Sequence, residues 1–270
     1  IFIKSLKLPF NIKVKRKERE DLEMNNIIEV KNLSKNIKGK TIIENMNFNI
    51  EKGDIYGFVG PNGAGKTTMI RLLTGLIKPT KGEILIKGVD VNKDRKRALL
   101  NLGAIVECPI FFEYMTGREI LKNLVRLHPN ISKEEREKRV DEVLNLVDLK
   151  YREKDKVSTY SLGMKQRLGI AQALLGKPEI IILDEPANGL DPIGIKDLRD
   201  IILKLNRELK ITFLVSSHLL DELKKFSSRI IIINNGQLKF KGSLEKLLSM
   251  GDGNIEEVFL QVLKTKEVAL

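Results

Sequence analysis

Tryptophan is absent and cysteine occurs once, as Cys108. One thiol cannot close an internal disulfide, so this is no disulfide-stapled scaffold; the usage fits a reducing cytosol. No apolar run reaches the roughly 18 residues that a membrane helix needs, so no segment is expected to span a bilayer. Internal repeats and sustained heptads are missing, which excludes solenoids and long coiled coils. Aromatic residues make up only 5% of the chain and do not interleave with arginine, so nothing suggests a surface that reads bases. What remains is ordinary globular composition, 42% hydrophobic and 31% charged over 270 residues, enough for one large domain or two small ones.

The formal net charge is +12. Such an excess suits nucleic acid, the anionic inner face of a membrane, or simply solvated helix faces. The last reading has local support, because lysines alternate with acids between Lys133 and Lys138. Residues 1–23 look foreign to the rest. They begin at Ile1, carry a basic block from Lys13 to Arg19, and precede Met24, a better natural start. Charge follows the apolar stretch and no cleavage site is evident, so this is not read as a secretory signal. We expect 1–23 to be an extraneous or disordered basic segment.

Residues 60–68 read Gly60-Pro61-Asn62-Gly63-Ala64-Gly65-Lys66-Thr67-Thr68. This is the G-x-x-x-x-G-K-[ST] phosphate loop, placed between an apolar lead-in (Ile55–Val59) and an amphipathic run that includes Met69, Ile70, Leu72, Leu73 and Leu76. Without Cβ atoms in the way, successive backbone N–H groups can turn toward one anion, and a helix N-terminus adds its positive end. Lys66 can then reach the β- and γ-phosphates, and the Thr67 hydroxyl can sit on Mg2+.

Further on, Ile180–Leu183 is an apolar strand ending in Asp184-Glu185. Asp184 can hold Mg2+ through a water; Glu185 can orient or deprotonate an attacking water. Alone the pair is a charged strand end; behind a phosphate loop it gains meaning. Ser161 and Gly163 stand where a helix begins, either as a plain cap or as a second anion site. His218 follows Ser216-Ser217 after a buried strand, the end where ligands bind in open α/β sheets.

Around these motifs the pattern predicts strands near 27–30, 45–50, 82–87, 102–106, 179–183, 211–215 and 229–233. Capping boxes at Thr116-x-x-Glu119 and Ser132-x-x-Glu135 open helices over 117–127 and 133–147. A further helix starts near Ser161, so 108–175 reads as a helical block inside an α/β frame. Asp191-Pro192 opens a helix to about Leu209. Gly236 turns the chain, and 241–270 reads as a helical tail over 243–250 and 255–263.

Taken in order, the phosphate loop, Ser161-Leu162-Gly163-Met164-Lys165-Gln166, Asp184-Glu185, Gly189-Leu190-Asp191 and His218 resemble the nucleotide-binding subunits of ABC transporters over about 27–240. The resemblance implies an α/β fold: a phosphate-loop NTPase core with a mostly parallel sheet, an N-terminal antiparallel β subdomain and an inserted helical subdomain. It implies ATP and Mg2+ as cofactors, and a head-to-tail dimer with ATP between one phosphate loop and Ser161/Gly163 of the other copy. Glu185 would be the catalytic carboxylate, His218 the γ-phosphate contact and Asp191 an interface residue. A separate transmembrane permease, docking near Phe111, Phe112 and Tyr114, would place the chain at the cytoplasmic face of the membrane; no nucleic acid is expected.

Three positions depart from the family pattern. Glu107 replaces a glutamine; as a carboxylate it can ligate Mg2+ directly, or be a tolerated drift. This glutamate and the Tyr160–Arg167 signature are similar to exporters acting on lantibiotics or bacitracin, though export of another drug, lipid or ion stays open. Ile37 falls where an aromatic usually stacks on adenine, which predicts modest affinity and weak discrimination of ATP from GTP. Leu162 and Met164 replace the commoner Gly and Gln of the signature, while Ser161 and Gly163 remain.

Overall fold

The computed structural model describes residues 25–251 and 255–264. The expectations for residues 1–23 and Met24 lie outside the described residues.

The chain opens with two long strands, β1 (Asn26–Ile37) and β2 (Lys40–Glu51), paired antiparallel. Their connection is the two-residue turn Lys38-Gly39, with φ of 49° and 80°. Left-handed backbone at both positions suits the right-handed twist of the flanking strands. The strand expected over 45–50 is therefore the second half of a longer one. Its alternation is real: Met46, Phe48 and Ile50 are buried between outward-facing asparagines. β4 (Lys81–Ile86) and the short β5 (Val89–Asp90) complete a four-stranded antiparallel sheet in the order β2-β1-β4-β5.

The second sheet holds β3 (Ile55–Val59), β6 (Leu102–Ile105), β7 (Ile180–Leu183), β8 (Thr212–Ser217), β9 (Arg229–Asn234) and β10 (Gln237–Ser243). Its order is β10-β9-β3-β8-β7-β6, parallel throughout except for β10. Every residue of β3, β7 and β8 is buried, as parallel strands covered on both faces require. Alternate residues divide between two cores. Ile181, Leu183, Phe213 and Val215 face the helical side; Ile180, Ile182, Leu214 and Phe58 face the antiparallel sheet. Between the sheets lies α1 (Lys66–Leu73), burying Met69, Ile70, Leu72 and Leu73. The pattern does not predict β10: Leu238, Lys239 and Phe240 are all buried, and a register shift sends Leu238 and Phe240 into opposite cores. The strand passes through residue 240, where the tail was expected to begin.

After α2 (Arg95–Ala98) and β6 comes the helical block. The Thr116–Glu119 capping box forms in full and opens α3 (Gly117–Leu124), which tightens into a 3-10 turn at Val125–Leu127. At Ser132–Glu135 the reciprocal bonds also form (Ser132 N to Glu135 Oε2, 3.1 Å). Here, however, α4 (Arg136–Leu146) begins only at Arg136, later than its predicted start at 133. The box closes a turn over 133–135 that runs directly into the helix. α5 (Leu162–Leu174) is capped by Ser161, whose Oγ accepts from Met164 N at 3.2 Å. α6 (Pro192–Leu209) is capped by Asp191, which accepts from Gly194 N at 2.8 Å. α7 (Leu220–Leu223), α8 (Leu244–Leu248) and α9 (Ile255–Lys264) follow. Ile255, Val258 and Val262 of α9 join the same core as the helical block.

Candidate nucleotide site

Strand order assembles the site. β3 lies beside β8, and β8 beside β7, so their C-terminal ends adjoin although Val59, Leu183 and Ser217 are far apart in sequence. The loop after β3 turns through left-handed Gly63 and Gly65, with φ of 82° and 105°. At Gly65 the left-handed backbone strains any larger residue, and a Cβ would also come within 3.2 Å of Ile42 O. From this loop α1 departs, with Lys66 as its first residue.

The Lys66 side chain is 6% exposed and folds back into the loop. Its Nζ donates to Gly60 O at 2.7 Å and lies 3.2 Å from Glu185 Oε1. The second Glu185 oxygen, Oε2, meets His218 Nδ1 at 2.9 Å. Glu185 reaches both because its backbone is left-handed, φ 46°, which swings it off the line of β7. Asp184, 4% exposed at the end of that strand, accepts from Ser216 Oγ at 2.6 Å. The same Ser216 oxygen accepts from Glu185 N at 2.8 Å. One hydroxyl thus ties both acids to the end of β8.

These groups border a cleft of about 550 Å3. Asn62, Gly63, Gly65, Lys66, Thr67, Thr68, Glu185 and His218 line it, together with Asn188, Lys40 and Ile42. Gly60, Pro61 and Ala64 support the loop from behind: Lys66 holds the carbonyl of Gly60, and Ala64 N donates to Pro61 O at 3.0 Å. The fold therefore brings the phosphate loop, Glu185 and His218 to one cavity.

Other expected residues stand elsewhere. Ser161 is exposed, and neither Ser161 nor Gly163 lines this cleft; Gly163 instead packs near Leu190 and Gly194, at the start of α6. Glu107 is exposed with φ 67°, and its carboxylate pairs with the Arg71 guanidinium on α1. It does not line the cleft either. Ile37, 42% exposed at the end of β1, is also outside the lining. Phe111 is half-buried against the helical core, whereas Ile110, Phe112 and Tyr114 are exposed. Sequence reading missed the bridging role of Ser216 and the contact of Arg71. For Ser216 a signal existed, since a serine following the apolar run Phe213–Val215 needs a polar partner when buried.

The pattern of the ABC transporter family matches residues 43–188. An uncharacterized ABC transporter ATP-binding protein, YhcH of Bacillus subtilis, is 45% identical over 249 residues, covering 91% of this chain and 78% of the relative. This chain belongs to the ABC transporter ATP-binding family. Among its relatives are the bacitracin transport ATP-binding protein BcrA of Bacillus licheniformis, 47% identical over 80% of this chain and 69% of the relative. The lantibiotic transport ATP-binding protein SrtF of Streptococcus pyogenes is 40% identical over 86% and 96%. A solved ATP-binding subunit of an ABC transporter superposes with TM-score 0.76 at 29% identity, covering 88% of this chain and all of that one. A dimeric ATP-binding cassette in a post-hydrolysis state with ADP and Pi superposes with TM-score 0.71 at 28% identity, over 80% and 98%.

As an ABC cassette the chain binds ATP and hydrolyses it in work coupled to transport. The family also implies membrane permease partners and a dimeric pair of cassettes. Among the described residues no helix is long and apolar enough to cross a membrane.

Proposed function

We propose that this chain energises the export of an antimicrobial peptide, a lantibiotic or a bacitracin-like compound, through a separate permease subunit from the cytoplasmic face of the membrane. The observation that carries the chemistry is the meeting of Lys66, Glu185 and His218 at the mouth of the phosphate loop. The cargo reading is supported by the relatives named for bacitracin and lantibiotic transport, and by Glu107 in place of glutamine.

The loop from Gly60 to Thr68 takes the phosphate chain on backbone N–H groups and the start of α1. Lys66 has an ion-pair partner in Glu185 while it waits. Nucleotide phosphates offer it more negative charge, so Lys66 transfers to them and releases the carboxylate. Glu185 then accepts a hydrogen bond from the attacking water and draws its proton. His218, relieved of Glu185, turns a ring nitrogen toward the γ-phosphate. Ser216 keeps Asp184 and the Glu185 backbone in register throughout.

Thr67 and Asp184 offer the hard oxygen donors that suit Mg2+, and Asp184 is already oriented by Ser216. The ion would neutralise charge across the β- and γ-oxygens. Glu107 is a further carboxylate for it, available once Arg71 lets go. Ser161 and Gly163 face outward because they serve the cleft of a second copy, head to tail with the first. Two copies so arranged close two complete sites.

The test is resistance. The chain, produced with its permease in a sensitive host, should raise tolerance to a lantibiotic or bacitracin. The same pair carrying Glu185→Gln should not. Undiminished resistance in that variant would rule out hydrolysis at this site as the energy source.

A further inference from the structure

Basic side chains without a counter-charge gather at one edge of the fold, and none of them lines the nucleotide cleft. The short helix α2 carries Arg95, Lys96 and Arg97, all exposed; among the described residues none of the three has an ion-pair partner. The adjoining acid, Asp94, is spent as the helix cap, accepting from Arg97 N at 3.1 Å. Lys93, paired with Asp90 at 3.3 Å, lines an open cleft of about 550 Å3 together with Lys31 and Lys78. Lys31 is held by Glu29 at 3.0 Å, whereas Lys78 is exposed and has no acidic partner among the described residues. The acids lining that cleft are Glu83 and Asp90.

The fold ties this edge to α1. A Cβ on Gly75, just past the end of α1, would stand 3.1 Å from Arg95 Nε. One turn earlier, Arg71 pairs with Glu107, which opens the loop carrying the exposed Ile110, Phe112 and Tyr114. The two contacts are anchored about 6 Å apart along the line of α1. The unpaired cations therefore adjoin the loop expected to meet the permease. Leu76 beside Gly75 and Ile110 just after Glu107 add exposed apolar side chains, 55% and 93%.

We propose that Lys78, Arg95, Lys96 and Arg97 form a surface for the anionic lipid headgroups of the membrane that holds the permease. This rests on the transporter reading of the chain. A permease sits in a bilayer, so the face beside its docking loop approaches headgroups. Anionic lipids favour unpaired lysine and arginine at their surface, and exposed apolar side chains suit the same boundary. Duplex nucleic acid is the other polyanion such charge could meet, but the apolar residues next to the cations favour a bilayer.

The experiment is cosedimentation of the full chain with vesicles of phosphatidylcholine, pure or mixed with phosphatidylserine. Wild type should bind the mixed vesicles and not the neutral ones, and added salt should release it. Lys96→Gln/Arg97→Gln should weaken that binding by about fivefold per charge removed. Lys224→Gln/Lys225→Gln, an equal charge change on exposed residues just after α7, should keep it. Equal loss in both doubles overturns the proposal, and so does undiminished vesicle binding in Lys96→Gln/Arg97→Gln, including the case where that variant loses duplex DNA instead. ATP hydrolysis is assayed in the same samples. Wild type that hydrolyses ATP but ignores phosphatidylserine defeats this surface alone; wild type without hydrolysis removes the transporter reading beneath it.

Discussion

Glu185 occupies backbone that non-glycine residues rarely adopt, and it does so between two charged partners. Strain of this kind persists where surrounding contacts hold it, and here the Ser216 hydroxyl accepts from its N–H. If Glu185 draws the proton from water, Glu185→Gln should slow single-turnover hydrolysis at least a hundredfold, about 2.7 kcal/mol of barrier, with ATP still bound. Ser216→Ala removes the partner of a 4%-exposed carboxylate and of a backbone N–H together. We expect kcat to fall about tenfold with little change in KM, because Asp184 and Glu185 lose alignment rather than substrate contacts. Ile37→Tyr should tighten ATP binding by about fivefold or more, since stacking on a base is worth roughly 1–3 kcal/mol. Titration calorimetry showing equal or weaker binding would remove Ile37 as the missing stacking position.

Within the helical block, elements are joined by charge as well as by core. Arg118 on α3 donates to Asp141 on α4 and to Glu153, both at 2.7 Å, and Lys150 reaches the same two acids. The Arg118 hydrogen bond, then that of Lys150, holds the Asp141 carboxyl down to about 2. Its unfolded value is near 3.9, so the folded state gains from this acid above about pH 4 and loses the gain as pH falls toward 2. Asp141→Asn should therefore lower the melting temperature at pH 7, and the gap from wild type should close by about pH 2. Added salt should narrow it too, because the pair is partly exposed.

The loop after β6 behaves as two halves. Phe111 packs on the helical core, whereas Phe112 is 65% exposed beside Tyr114, ring centroids 5.7 Å apart. Exposed aromatics with polar neighbours suit an interface. Phe112→Ser should leave basal ATPase intact and abolish its stimulation by the permease. Phe111→Ser should lower the melting temperature instead.

Across the whole molecule, Glu185, His218 and the phosphate loop sit on one cleft while Ser161 and Gly163 sit outside it. Near them Leu162 is 44% and Ile193 71% exposed, apolar surface on the capped ends of α5 and α6. If a second copy covers this surface, the Glu185→Gln protein with MgATP should elute as a dimer from a sizing column. The added change Ile193→Glu should keep it monomeric, since a buried unpaired charge is strongly unfavourable.

Local chemistry was legible in the chain itself. The glycines and lysine of the phosphate loop, the caps at Thr116, Ser161 and Asp191, and the apolar strands each declare themselves within a few residues, because their physics is a matter of neighbours in sequence. The start of α4 and the strand β10 escaped for related reasons. Capping bonds can close a non-helical turn before the helix proper begins, and the edge strand β10 shows itself through its partner β9. The meeting of distant groups belongs to the tertiary structure alone. Placing β8 between β3 and β7 puts Ser216 on Asp184 and His218 on Glu185, and the position of α1 puts Arg71 on Glu107. No spacing along the chain encodes those contacts, because they follow from which strands pair and which helix lies between the sheets.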